Sequence, residues 1–326
     1  MSGTAVAAEV DKAWEHMGNY EKFRSILVDN CAQLEFVHTL ARSKRNGLNI
    51  LATSIRQANP SVFNLLMEMP FFCLLSLWTA WVRWGDCHPL FVTISQDNVS
   101  KFKRLLKFCR QVSDAYVRAI NPSIIHSLTN ELTHLLNPLT QHKQKWKEPE
   151  TGRTFSFFFE AIDYFALAQH SLQHKSHDVL NHILTSKPVV ASRILTKRNL
   201  LGETLLILAS SFSDETATDI ILDAYAEQQE NYPSMKQYIR YKSKDGKGYS
   251  AMHKACERNN VAIVGRLSTE CPNAHMIKDD ASGATPLHYA AASGGSDGKC
   301  IGSHCIAHRH RLTQLSLSPR SHPGTP

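Results

Sequence analysis

The stretch Asp280-Ala281-Ser282-Gly283-Ala284-Thr285-Pro286-Leu287-His288-Tyr289-Ala290-Ala291-Ala292-Ser293-Gly294 restricts the fold more than any other part of this chain. Asp280 and Gly283 suit a tight turn, Thr285 can cap a helix start, and Pro286 fits the first helical position, where a missing N–H costs nothing. Leu287, Ala290 and Ala291 are then expected on one helix face, where small alanines let a neighbouring helix approach closely. A histidine just inside such a helix is placed to bond turn backbone in its own unit or the next. The same grammar occurs upstream in Asp245-Gly246-Lys247-Gly248-Tyr249-Ser250-Ala251-Met252-His253-Lys254-Ala255-Cys256, whose Gly248 lies 35 residues before Gly283. Here Ser250 replaces Thr and Ala251 replaces Pro. After the polar break Arg258-Asn259-Asn260, the residues Val261, Ile263, Val264 and Leu267 recur at helical intervals and predict a second helix. One such unit is a single link of a stack.

The Thr-Pro-Leu-His start and a period near the expected value of about 33 residues resemble the ankyrin repeat. Further units become legible on that pattern. Asn199 to Ala209 keeps the turn Gly202 and Thr204, with Ile220, Ile221 and Leu222 in a second helix. The polar segment Glu227 to Tyr241, which contains Pro233, reads as an insertion protruding from one edge of the stack. His88 to Leu106 follows the helix, short turn and helix of a unit with the usual alanines replaced, and Gly47 to Ala52 followed by Val62, Phe63, Leu65 and Leu66 is similar. Ala13 to Leu27, broken at Gly18-Asn19, reads as a capping unit. Gly152-Arg153-Thr154 leads into the aromatic run Phe155 to Phe159 and then a pair of long helices ending at Val179, Leu180, Ile183 and Leu184. The resemblance implies an all-α, ankyrin-type helical-repeat solenoid with short hairpin turns. Its expected parts are a divergent helical region of degenerate repeats at 1–190, ankyrin repeats at 191–298 and a disordered tail at 299–326.

Composition agrees with a solenoid, which spreads its core along one axis: 43% of residues are hydrophobic in a chain of 326. The eight cysteines are scattered and the start Met1-Ser2-Gly3-Thr4 lacks a charged-then-apolar leader, so free thiols and a cytoplasmic location are expected, with the nucleus as the second choice. Met69 to Val82 is nearly free of charge but shorter than the roughly 20 apolar residues a bilayer needs, so a buried helix or interfacial segment is the preferred reading over a membrane span. The net charge of +7 raises an acidic partner. Lys101, Lys103, Arg104, Lys107 and Arg110 form one basic cluster, four of them at helical spacing, and a solvated helix face is preferred over a nucleic-acid ridge because no aromatic platform accompanies them. No phosphate loop, dinucleotide glycine pattern, nucleophile elbow, kinase set or HExxH occurs, which argues against an enzyme and implies no cofactor. The tail cluster from Cys300 to His310 has no familiar zinc spacing, and no metal site is expected.

What the resemblance implies is a non-catalytic protein-interaction module, an adaptor, scaffold or inhibitor, binding a protein partner through its concave face as a monomer. The alternative is a membrane-associated or secreted effector that uses the repeats for target binding, placed in a host cytoplasm. Carried over unit by unit, the partner-binding positions are Leu201 and Glu203, Lys247 and Tyr249, Ser282 and Ala284 in the turns, and Glu257 and Arg258 on a first helix. Tyr249 and Arg258 carry the strongest expectation, because aromatics and arginines concentrate binding energy. After Gly294 the repeat pattern demands a second apolar helix, whereas Gly295 to Lys299 reads as a flexible linker. Either Ile306, Leu312, Leu315 and Leu317 supply a substitute helix, or the last unit is partly open.

Overall fold

A computed structural model describes residues 3–57, 60–69, 73, 76–77, 88–120, 146–147, 154–155, 163–229 and 235–293. It divides into two compact units, Met1–Asp163 and Tyr164–Pro326. Among the described residues both are all-α apart from two short antiparallel ladders in the first.

The first unit opens with helices α1 (Gly3–Glu15) and α2 (Tyr20–Asn30). The break between them falls at Gly18-Asn19, as its polarity predicts, and the Asn19 side chain accepts from the Lys22 amide to cap α2. Phe23 and Leu27 are buried. Helix α3 (Leu34–Arg42) packs on α1. A hairpin of β1 (Lys44–Arg45) and β2 (Leu48–Asn49) follows, turning through Asn46 and Gly47 at φ 52° and 77°. Two successive left-handed residues match the twist of the flanking strands, which is why Asn-Gly occupies the turn. Asn49 then caps α4 (Ile50–Arg56), accepting from the Ala52 amide at 2.9 Å, and α5 (Ser61–Met67) completes the pair. Helix α6 (Pro89–Ser95) packs on α4; Pro89 takes its first position and the buried His88 caps it through Nδ1, 3.2 Å from the Leu90 amide. Helix α7 (Val99–Ile120) is capped by Asn98. The second ladder joins β3 (Trp146–Lys147) and β4 (Thr154–Phe155).

Lys101 corrects the reading of the basic cluster. It is buried rather than on the solvated face of Lys103, Arg104 and Lys107, and its Nζ donates to the Ile55 and Gln57 carbonyls at 2.7 and 3.3 Å, closing the last turn of α4. Burial pulls its pKa down. Lys101→Met keeps the length but leaves those carbonyls unpaired, so a loss of about 1–3 kcal/mol is expected in urea unfolding of the first unit, read by tryptophan fluorescence. Lys103→Met should leave the midpoint in place.

The second unit contains α8 (Tyr164–His174), α9 (His177–Thr185), α10 (Pro188–Thr196), α11 (Leu205–Ser211), α12 (Glu215–Gln229), α13 (Met235–Tyr238), α14 (Ala251–Glu257), α15 (Val261–Glu270), a 3-10 turn (Ala274–Met276) and α16 (Pro286–Ala292). Helices α8, α11, α14 and α16 pack in one row, and α9, α12 and α15 in a second. One device makes each turn from the first row to the second. Lys175, Ser213 and Asn259 adopt left-handed φ of 55°, 54° and 52°, and the next residue's amide bonds back to the carbonyl five residues earlier: Ser176 to Ser171, Asp214 to Ala209, Asn260 to Ala255. Asp214 and Asn260 then cap α12 and α15, accepting from Ala217 and Ile263 amides, each at 3.0 Å. Asp97 and Asn98 build the same break in the first unit, with the Asn98 amide donating to the Thr93 carbonyl. Apolar side chains between the rows form the core: Leu205, Ala209, Tyr225, Ala255, Ile263 and Leu267 are all buried.

Several expectations are corrected here. Helix α8, at 11 residues, is longer than the 7 of α11, α14 and α16 in its row, whereas α9, at 9, is shorter than α12 and α15 at 15 and 10. The segment Glu227 to Tyr241 does not simply protrude: residues 227–229 finish α12, α13 packs on that helix, and Ile239 is buried, while 230–234 lie outside the described residues. Helix α16 buries Pro286 and Ala290, whereas Leu287 and Ala291 are exposed, because α14 meets it on the 286/290 side. Helix α10, with no place in the repeat pattern, packs against α11 and α12. Helices α8 and α9, which the sequence reading set among the divergent units of 1–190, lie in the second compact unit. Among the described residues, no helix is long and apolar enough to cross a membrane, and no three His, Cys, Asp or Glu side chains cluster as metal ligands. Most of 69–82, the aromatic run beyond Phe155, the cluster from Cys300 to His310 and the tail 299–326 lie outside the described residues.

Candidate functional site

Helices α11, α14 and α16 are each entered through a turn built on one acidic or amide side chain. In the earliest turn, Asn199 Oδ1 accepts from the Leu201 and Glu203 amides at 3.0 and 2.8 Å, and its Nδ2 donates to the Glu203 carboxylate at 2.9 Å. In the next, Asp245 Oδ1 accepts from the Ser243 hydroxyl and the Lys247 and Gly248 amides. Burial works to raise the Asp245 pKa, but these donors outweigh it and hold the carboxyl below its ordinary value. In the last turn Asp279 accepts from the Ser282 amide at 2.6 Å, the Gly283 amide at 2.9 Å, the Ser282 hydroxyl and the Tyr289 hydroxyl at 2.7 Å. Led by the Ser282 amide, these donors hold its carboxyl well below the usual carboxylate range.

The turns are joined edge to edge. The Lys244 amide donates to the Leu201 carbonyl at 3.0 Å, and the Asp280 amide to the Lys247 carbonyl at 2.9 Å. Gly202 and Gly248 sit where these rungs close. A Cβ on Gly202 would meet the Lys244 backbone and one on Gly248 the Asp280 side chain, whereas a Cβ on Gly283 would meet nothing within 4 Å.

Histidine provides a second stitch. The His253 side chain and Ser250 cap α14 reciprocally: Nδ1 accepts from the Ser250 amide at 3.1 Å, while Nε2 lies 3.2 Å from the Ala284 carbonyl of the following turn. A carbonyl only accepts, so Nε2 carries the proton. Burial keeps this imidazole below its ordinary pKa of 6.5. His288 repeats the local half of the arrangement, accepting from the Thr285 amide at 3.1 Å. Its ring is exposed, where that of His253 is buried.

The expected partner-binding residues separate into two groups. Ser282 and Ala284 hold the last turn together, the first through Asp279 and the second through a carbonyl that accepts from His253 and from the Asp279 amide. Glu203 is tied to Asn199. By contrast, Leu201 gives only backbone to the row, and Lys247 adds to its backbone a contact of its Nζ 6.0 Å from the Tyr249 ring centre; both side chains are exposed. Tyr249 and Glu257 come together around Lys254, whose Nζ lies 4.3 Å from the centre of the Tyr249 ring and 3.0 Å from Glu257 Oε2. Tyr249 is half-buried, packed edge-on against Tyr289 with centroids 5.4 Å apart. Arg258 ends α14 in solvent, as Phe212 ends α11.

Sequence reasoning left Lys254 and Tyr289 out of the binding set. Both follow the first turn of their helices; Lys254 reaches Tyr249 within one unit, while packing of α16 on α14 brings Tyr289 to it. Leu200, the turn residue next to Leu201 and likewise outside the set, is the most exposed large apolar side chain among the described residues.

A family model for ankyrin repeats, three copies, matches residues 222–300, which spans the last two turns and α14 to α16. No curated protein matches the chain. The last two turns, α14 to α16 and the Thr-Pro-Leu-His start therefore belong to ankyrin repeats, a protein-interaction module whose members are typically non-catalytic.

Proposed function

We propose that this ankyrin-repeat protein is a non-catalytic adaptor that holds a protein partner against the turn row and first-helix face of its second unit, as a monomer in the cytoplasm. The observation that supports this best is how the row divides its groups. Backbone amides and carbonyls are consumed within and between turns, while Leu200, Leu201 and Lys247 project from the tips. Leu200 is fully exposed and Leu201 is 56% exposed, an apolar pair that the fold itself does not use. Covering such a leucine contributes up to about 1.5–3 kcal/mol. Arg258 and the half-buried Tyr249 add the residue types that dominate interface energetics.

The test is capture of partners by the intact chain, followed by titration of the purified partner against a Leu200→Asp, Leu201→Asp, Arg258→Glu variant. These side chains are exposed, so the melting temperature should stay within about 2 °C of the parent. Affinity should fall at least about 30-fold, a loss of roughly 2 kcal/mol. Unchanged affinity would remove the turn row from the binding face. Tyr249 is left intact in this variant because its ring supports Tyr289, and removing it would mix folding with binding.

A further inference from the structure

The first unit holds a cleft that the repeat reading of the second does not use. It measures about 400 Å³, within the roughly 300–1,000 Å³ range of ligand sites, and lies between the end of α1, the β1–β2 hairpin and α4. Its floor is apolar: Trp14, Met17 and Leu48 are each buried. Its rim is cationic, with Arg45 on the hairpin and Arg56 in the last turn of α4, both exposed. The floor is fixed in place, because the Trp14 indole Nε1 donates to the Ser43 hydroxyl at 2.7 Å, which donates in turn to the Leu40 carbonyl. The Arg45 guanidinium stands 5.5 Å from the Trp14 ring centre and donates to Asp11 Oδ1 at 3.0 Å. The buried Lys101 anchors the Gln57 backbone at the far side of the cleft.

These charges are unequal in what they offer. Asp11 already compensates Arg45, whereas Arg56 has no ion pair among the described residues. The rim therefore presents about one uncompensated positive charge beside an apolar, partly water-excluding floor. That balance suits a single carboxylate followed by an apolar group, and it is a poor match for a dianion. A guanidinium fork meets a carboxylate with two parallel hydrogen bonds, and Arg45, held by its ring and carboxylate contacts, loses little freedom on adding another.

We propose that this cleft is an anion-selective docking site for an extended acidic peptide segment in which a Glu or Asp adjoins an apolar residue. The carboxylate pairs with Arg56 and the neighbouring apolar side chain covers Trp14 and Leu48. The site is independent of the turn row, so either reading can fail without the other.

The full chain is titrated with a fluorescein-labelled dodecapeptide of alternating Leu and Glu, and with the same peptide carrying Gln for Glu, by fluorescence anisotropy. The Glu peptide is expected to bind at least about tenfold tighter than the Gln peptide. Arg56→Gln should weaken it by about tenfold or more, Arg56→Lys by less, and Lys103→Gln with Lys107→Gln on α7 by less than about twofold. The proposal is overturned if the Glu and Gln peptides bind alike or neither binds below about 1 mM, if Arg56→Gln has no effect, or if the α7 pair weakens binding as much as Arg56→Gln. A phosphoserine peptide that outcompetes the Glu peptide would overturn the carboxylate assignment. Far-UV circular dichroism melts of each variant separate lost binding from lost fold.

Discussion

Gly202→Ala is expected to open the stack at α11–α14, while the same change at Gly283 costs far less. Both glycines are left-handed, at φ 74° and 70°, so each alanine carries the left-handed penalty of about 1–2 kcal/mol. The surroundings then set them apart. At Gly202 the new methyl would meet the Lys244 Cβ, its amide nitrogen at 2.5 Å and its Cα at 2.8 Å, none of them the flexible end of a side chain. That nitrogen is the one that donates to the Leu201 carbonyl, so relieving the collision breaks the rung between two turns. Overpacking of this kind adds about 1–3 kcal/mol, for a total near 2–5 kcal/mol. Gly248 should fall between the two, since its methyl would meet the Asp280 carboxyl, which can turn aside at the cost of its pair with Lys242, and the Asp280 Cβ, which needs a smaller backbone shift. All five tryptophans lie before residue 147, so tryptophan fluorescence does not follow the second unit. Hydrogen exchange does: protection of α11 to α14 should drop in the order Gly202→Ala, Gly248→Ala, Gly283→Ala. Equal losses at 202 and 283 would mean that the rungs do not hold the turns together.

That contrast also marks where the sequence was readable. Turn and cap chemistry acts within a few residues, so Gly283, Thr285, Pro286 and His288 announce a turn and a helix start, and the structure has both. The breaks at Asn19, Asn98 and Asn260 were legible for the same reason, each being an amide side chain that caps the helix after it. What a side chain faces depends on neighbours far along the chain. Met252 and Leu287 occupy the same place in successive units, yet the first is buried and the second 41% exposed, because α16 covers one side of α14 and no described helix follows α16. Lys101 looked like one of a row of surface cations until the α4 carbonyls, more than 40 residues earlier, claimed it. Ser282 and Ala284 fit the variable turn positions of a repeat, but an aspartate and a histidine nearby consume them. The cleft over Trp14 had no local signature at all, since its arginines lie on different elements brought together by the hairpin.

His253→Ala is expected to be the other large loss, about 2–4 kcal/mol, against less than about 1 kcal/mol for His288→Ala. The two residues make the same local cap, so what differs is the second half of the ring. Removing His253 leaves the Ala284 carbonyl without its imidazole donor, empties a buried space beside Tyr249 and Tyr289, and uncouples α14 from the last turn. Removing His288 costs the cap alone. The same geometry fixes the sign of a pH effect. The folded pKa of His253 lies below the ordinary 6.5: burial is the main cause and Lys242 and Lys254 add to it, outweighing the Ala284 carbonyl and Asp279, which favour the protonated ring. Below about pH 6.5 the unfolded chain takes up a proton that the folded chain resists, so this contribution to stability is complete above that pH and declines as pH falls toward the folded value. In the first unit His88 acts in the same direction, lowered to about 3 by burial, and its cap is lost on protonation because Nδ1 can no longer accept from the Leu90 amide. Exchange protection of α14 to α16 should therefore weaken between pH 7 and 5 in the parent. In His253→Ala it should already be weak at pH 7 and change little over that interval. If the variant keeps the parent's pH dependence there, another group carries it, and the stitch from His253 to Ala284 is not what couples the last two turns.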